Sequence, residues 1–115
     1  MMTDIEARTL YGSLRLLLLR TLEHGEQHGL EIRRHIEATA GEVLRVEEGA
    51  LYPALRRLEA ERLVASRWAV SDQRRRARYY KLTAKGRRRL ARERASWREH
   101  VRAVARVVLE PGEAL

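Results

Sequence analysis

Apolar positions recur along this chain with two different periods. From Thr9 to Glu23 leucines crowd the sequence, and His24-Gly25 closes the run, so a first helix is predicted there. With Leu14 as the origin and 100° per residue, Leu10, Leu17, Leu18 and Leu22 fall within about 80° of it, while Leu16 and Leu19 fall on the opposite side. A surface helix needs one apolar stripe, so the second stripe requires its own cover: a later helix or another subunit. A second helix starts near His28-Gly29 and ends near Ala38-Thr39, with Ile32 and Ile36 facing inward, Arg33 and Glu37 paired outside, and Gly41 as a stop. The third covers Glu48 to Arg62. Leu51, Leu55 and Leu58 mark its buried face, with Ala54 beside them, and Tyr52, Arg56 and Glu59 lie off it. Pro53 fits this helix only near a bent or tightened first turn.

The period then changes. Val64, Ser66, Trp68 and Val70 alternate with Ala65, Arg67 and Ala69, as in a strand. A polar connection over residues 71–76 leads to a second alternating stretch, Ala77 to Leu82, and the two make a β-hairpin with three consecutive arginines at its tip. Thr83 is a good N-cap for a last helix from Ala84 to about Leu109, closed by Pro111-Gly112. Its seam, Leu90, Arg94, Trp97, Val101, Val104 and Val108, is spaced 4, 3, 4, 3, 4, as in a coiled coil, with one polar breach at Arg94. Three short helices and a hairpin cannot cover so long a helix, so an intermolecular seam is expected, joined by Leu16 and Leu19 of the first helix.

The fold expected is thus mainly α with a β-hairpin: a winged helix-turn-helix over residues 1–83, a long dimerisation helix over 84–109 and a tail over 110–115. The 115 residues leave room for one such unit. Charge sharpens this. Residues 66–94 carry 12 Lys/Arg against 2 Asp/Glu, a net +10 that exceeds the +8 of the whole chain. Such concentration in one stretch points to a polyanion, first of all nucleic acid. In a winged helix the third helix enters the major groove and the wing reaches the backbone or the minor groove. Tyr52, Arg56 and Arg57 stand where the helix contacts DNA, and Arg74, Arg75, Arg76 and Arg78 where the wing does.

Other chemistries find little support. With no cysteine there is no disulfide framework or thiolate site. His24 and His28 have a metal-like spacing, but Gly25 and Gly29 break any helix there, so no metal, cofactor or catalytic residue is expected. No leader or membrane-spanning stretch is evident, and the expected location is the cytoplasm. The alternative function is a winged-helix module that binds an acidic protein and has no operator.

Leu44 to Glu59, LRVEEGALYPALRRLE, followed by RYYKLTAKGRRRL from Arg78 to Leu90, resembles the PadR family of transcriptional regulators, and EHGEQHGLEI before them looks like that family's turn into its second helix. The likeness covers about residues 9–109, and the single last helix resembles the compact subgroup. The resemblance implies a homodimeric repressor of a palindromic double-stranded operator, with DNA contacts at Tyr52, Arg56 and the wing around Arg75 and Arg78, and a dimer built from the first and last helices. It also implies a small aromatic effector held at Trp97. Arg94 and Arg98 flank that residue and would suit an anionic compound such as a phenolic acid. Val46-Glu47-Glu48 departs from the Ser-Pro that many relatives have before the third helix.

Overall fold

A computed structural model describes residues 4–113, and the side chains of 13–113. Four helices and three strands follow in the order α1 (Asp4–Leu22), β1 (Gln27–His28), α2 (Gly29–Thr39), α3 (Glu48–Ala60), β2 (Val64–Val70), β3 (Arg76–Leu82) and α4 (Ala84–Val108). The strands form one antiparallel sheet ordered β1-β3-β2. This is the winged helix arrangement, with β2 and β3 as the wing. The two-residue β1 was not foreseen, because so short a strand has no period to read. It pairs Gln27 with Tyr80 and His28 with Tyr79 and so fixes the wing's base beside α2.

Local chemistry sets the helix ends. His28 caps α2 in a reciprocal box: its Nδ1 accepts from the Glu31 N–H, and the Glu31 carboxylate accepts from the His28 N–H. Glu47 caps α3 with no side-chain bond, so the Glu47 carbonyl alone gathers the Ala50 and Leu51 N–H groups. That tightened turn precedes Pro53, which the helix contains. Thr83 Oγ1 accepts from the Gly86 N–H at 3.0 Å and donates back to the Arg62 carbonyl at 2.7 Å, so the cap of α4 also ties it to the end of α3.

The core gathers Leu14, Leu18, Leu19 and Leu22 of α1, Ile32 and Ile36 of α2, Leu51, Leu55 and Leu58 of α3, and Leu63, Val64, Tyr80, Leu82 and Leu90 around the sheet and α4. Most of both stripes of α1 is covered inside the subunit, because α1 packs on α2, α3, β3 and α4 together, while Leu16 stays partly exposed. This corrects the expectation for two residues. Leu19 and Leu90 are 0% and 1% exposed and fill the subunit's own core, so they offer nothing to a partner. The side chain of Leu10 lies outside the described residues. Within α4, only Gly86 and Leu90 are buried; past Arg94 most side chains are exposed. Among the described residues, no helix is long and apolar enough to cross a membrane.

Candidate nucleic-acid interface

The face of α3 that the core leaves free looks across a cleft at the wing. Tyr52, Arg56 and Glu59 line the α3 side, and Trp68, Arg75, Arg76 and Arg78 line the wing side. His28 to Leu30 and Tyr80 form the floor, around a space of about 560 Å³. Five of the seven residues expected to touch DNA are therefore brought together. Arg57 sits about 100° around α3 from Arg56, on the flank away from the wing, and does not line the cleft. Arg74 is at the exposed tip, beyond it.

The strand register explains the wing's chemistry. Ser66 faces Tyr80, Trp68 faces Arg78 and Val70 faces Arg76, so these six share one side of the hairpin. Toward the base that side is buried; toward the tip it opens onto the cleft. The Trp68 ring carries two guanidinium groups, Arg76 at 4.9 Å and Arg78 at 5.6 Å from its centroid. On the opposite side Arg67 donates twice to the Glu26 carboxylate, at 2.9 and 2.6 Å, and lies 5.5 Å over Tyr79. Glu26 is held below the ordinary carboxylate range by that hydrogen bond. The pair anchors the wing to the turn before β1.

The wing tip is closed by the Ser71 N–H on the Arg75 carbonyl at 2.7 Å and the Arg74 N–H on the Ser71 carbonyl at 2.8 Å. Arg74 takes a left-handed backbone, φ 59°, as in a three-residue loop with a bulge. Glycine is the usual occupant of that position; here an arginine holds it.

Tyr52 lies against the first turn of α2. A Cβ on Gly29 would stand 2.5 Å from the Tyr52 hydroxyl and 2.7 Å from its ring, so a side chain there would push the ring aside. Its edge remains exposed to the cleft. Among the described residues, no ion pair involves Arg56, Arg57, Arg74, Arg75 or Arg76. Arg78 is differently placed: its Nε donates to Ser66 Oγ at 2.8 Å, and its Nη2 stands 3.5 Å from both Glu59 oxygens. Sequence reading missed Trp68 and Glu59 as members of this site. Trp68 is 53% exposed, and its position opposite Arg78 was the only sign available.

The expected dimer surface divides in two. Leu16, partly buried, and Trp97, half exposed, border a shallow groove of about 310 Å³ with Arg15, Glu93 and His100. Val101, Val104 and Val108 lie further along α4, where Val107, unnoticed in the heptad reading, is 86% exposed. Arg94 does not stand ready beside Trp97: it donates to Glu23 at 2.7 Å and ties α4 to the end of α1. Among the described residues, no group of three or more His, Cys, Asp or Glu is placed to hold a metal ion. His24 is not beside His28 but against His35, their ring centroids 4.9 Å apart.

Comparison with known proteins gives this geometry a family. The chain superposes on a transcriptional regulator from Clostridium thermocellum with a TM-score of 0.78 at 24% identity, over 90% of this chain and 99% of that one. A PadR family transcriptional regulator from Eggerthella lenta gives 0.77 at 27% identity, over 92% and 90%. Bacillus subtilis PadR, in complex with operator DNA, gives 0.61 at 24% identity, over 68% of this chain and 43% of that one. No protein of curated function matches the sequence significantly. Residues 18–92 match the transcriptional regulator PadR-like family, a span that runs from the core of α1 through the wing into α4. This chain belongs to the PadR-like family of transcriptional regulators.

Proposed function

We propose that the chain is a homodimeric repressor, working in the cytoplasm, that binds a palindromic operator. The observation that carries this is the cleft: Tyr52 and Arg56 on a helix sized for the major groove face Arg75 and Arg76 on a wing. That Bacillus subtilis PadR, of the same fold, is seen in complex with operator DNA supports duplex DNA as the partner. Arg56 reads base edges or fixes register, Tyr52 adds contacts from the rigid Gly29 platform, and Arg74 to Arg76 supply affinity through phosphates. Arg57, on the far flank of α3, reaches only the backbone of the duplex.

The dimer forms on the free half of α4 with Leu16 beside it. Trp97, Val104 and Val108 stand exposed on this stretch, with Val101 partly covered between them, and an apolar row of that length calls for a second copy. Two α3 helices related by a two-fold then meet half-sites about one helical turn, roughly 34–36 Å, apart. A flat aromatic acid is the effector, stacking on Trp97 with Arg98 as its cationic neighbour.

The test is binding to duplex DNA by fluorescence anisotropy. A duplex enriched from a random pool by the wild-type protein should carry an inverted repeat, bind far more tightly than a random duplex, and weaken steeply with salt. Equal affinity for both duplexes would remove the operator, and no binding to either would favour a protein-interaction module.

A further inference from the structure

Of the wing arginines that line the cleft, one is held by partners on every side. Arg78 leaves β3 opposite Trp68, and its guanidinium lies on that ring. Its Nε donates to Ser66 Oγ on β2, and its Nη2 approaches both oxygens of Glu59 on α3. Ser66 Oγ in turn donates to Glu59 Oε2 at 2.6 Å. The three side chains close a ring of hydrogen bonds that joins two strands of the wing to the recognition helix.

We propose that Arg78 is a positioning residue and Glu59 its anchor: together they form a strut that holds the wing at one angle to α3, and so determine sequence discrimination instead of touching phosphate. The inference rests on the DNA-binding reading above. Glu59 lies about 20° from Tyr52 around α3, on the face turned to DNA. A bare carboxylate there would repel the duplex. Arg78 neutralises it, so the pair brings no net charge to the cleft, unlike Arg56, Arg75 and Arg76. A planar guanidinium with donors in fixed directions can meet Ser66, Glu59 and the Trp68 face at once; an ammonium cannot. The wing, only two long strands wide, is thereby anchored at two points. The Glu26–Arg67 pair holds its outer side and the strut its inner side.

Two variants separate a strut from a phosphate contact. E59A/R78A leaves net charge unchanged, and R78K keeps the charge but not the fork. The expected result for both is about a tenfold weaker hold on the selected duplex, unchanged affinity for a random duplex, and an unchanged slope of log affinity against log salt. R75Q is the reference and should lower that slope by about 0.9 on both duplexes. A slope that falls by the same amount in E59A/R78A, or an R78K variant that binds as the wild type does, overturns the proposal. If the wild-type protein binds no duplex, the DNA reading fails separately. The strut is then judged in a Trp97→Phe background, where E59A/R78A should lower the emission anisotropy of Trp68, and an unaltered anisotropy sinks it.

Discussion

Three backbone positions show how little freedom single residues have. At Gly29 the ring of Tyr52 fills the place of a side chain. Gly86 sits in the first turn of α4 so close to the end of α3 that an added Cβ would stand 2.0 Å from the Leu63 carbonyl oxygen. That carbonyl is held in place, because it accepts from the Thr83 N–H at 3.1 Å. Alanine is the better helix former, yet the clash decides the outcome. We expect Gly86→Ala to cost about 1–3 kcal/mol, read as a lower urea midpoint. Arg62 presents the opposite case. It ends α3 in a left-handed conformation, φ 62°, where its N–H bonds to Glu59 and the Leu63 N–H bonds to Leu58. This is the hydrogen-bond pattern that favours glycine. Arg62→Gly should therefore raise stability by about 0.5–1 kcal/mol in the same titration. Neither position was legible in the sequence. A glycine two residues into a helix looks like a small loss of propensity, and its necessity comes from the backbone that approaches it.

At the scale of elements, the wing separates folding from binding. Its hairpin is built by register, by the Ser71 closure and by the Glu26–Arg67 anchor, and none of these uses the side chains of Arg74 or Arg75. Replacing Arg74, Arg75 and Arg76 together by alanine should lower the thermal midpoint only slightly, through the lost stacking of Arg76 on Trp68. DNA affinity should fall for every duplex, with the salt slope lowered by about 0.9 for each phosphate that is no longer neutralised. An unchanged slope would show that the tip does not touch DNA. The boundaries of β2, β3, α2 and α4 were legible within a residue or two, because each has a clear period and a capping residue such as Thr83. The limits of α1 were less so: an all-round leucine helix gives no preferred face, and its start at Asp4 lies ahead of the apolar run.

For the whole molecule, the long α4 is where the proposed dimer is put to the test. Its first half is locked down by Leu90, by Arg94 on Glu23, and by Arg15 of α1 reaching both Glu61 and Glu93. Its second half is open. Val101→Asp or Val104→Asp should leave the subunit folded, since neither side chain is in the core, but should bury a charge in the dimer seam. Sedimentation at micromolar concentration should then give monomers, and a surviving dimer would place the seam elsewhere. The molecule's ion pairs also give stability a pH dependence. Hydrogen bonds from Arg94, Arg67 and Arg15 hold Glu23, Glu26 and Glu61 below the ordinary carboxylate range. The unfolded chain therefore takes up protons first as pH falls. The stabilisation is complete above the ordinary range and is lost as pH drops through the lowered values. These groups are solvent-exposed, so the effect is modest and screened by salt. The thermal midpoint should fall below about pH 4.5, less steeply in 1 M salt. A midpoint that rises with acid would contradict this account.

The sequence by itself determined the kind of molecule: the change from a 3.6-residue to a two-residue period located helices and wing, the arginine-rich stretch located the charge, and the tyrosine-proline and double-tyrosine motifs located the family. These signals are local, and a single strand of text carries them. Tertiary structure decided which side chains are available. Leu19 and Leu90 fit an outward seam on the helical wheel, but the neighbouring helices fold over both. Arg57 and Arg56 are adjacent in sequence, yet only Arg56 turns toward the wing. Arg78 is one more arginine in a basic run until Glu59 and Ser66, 19 and 12 residues away, close around it. Burial and pairing depend on contacts between distant segments. The pattern along a chain shows which faces exist, and only packing shows which of them remain free.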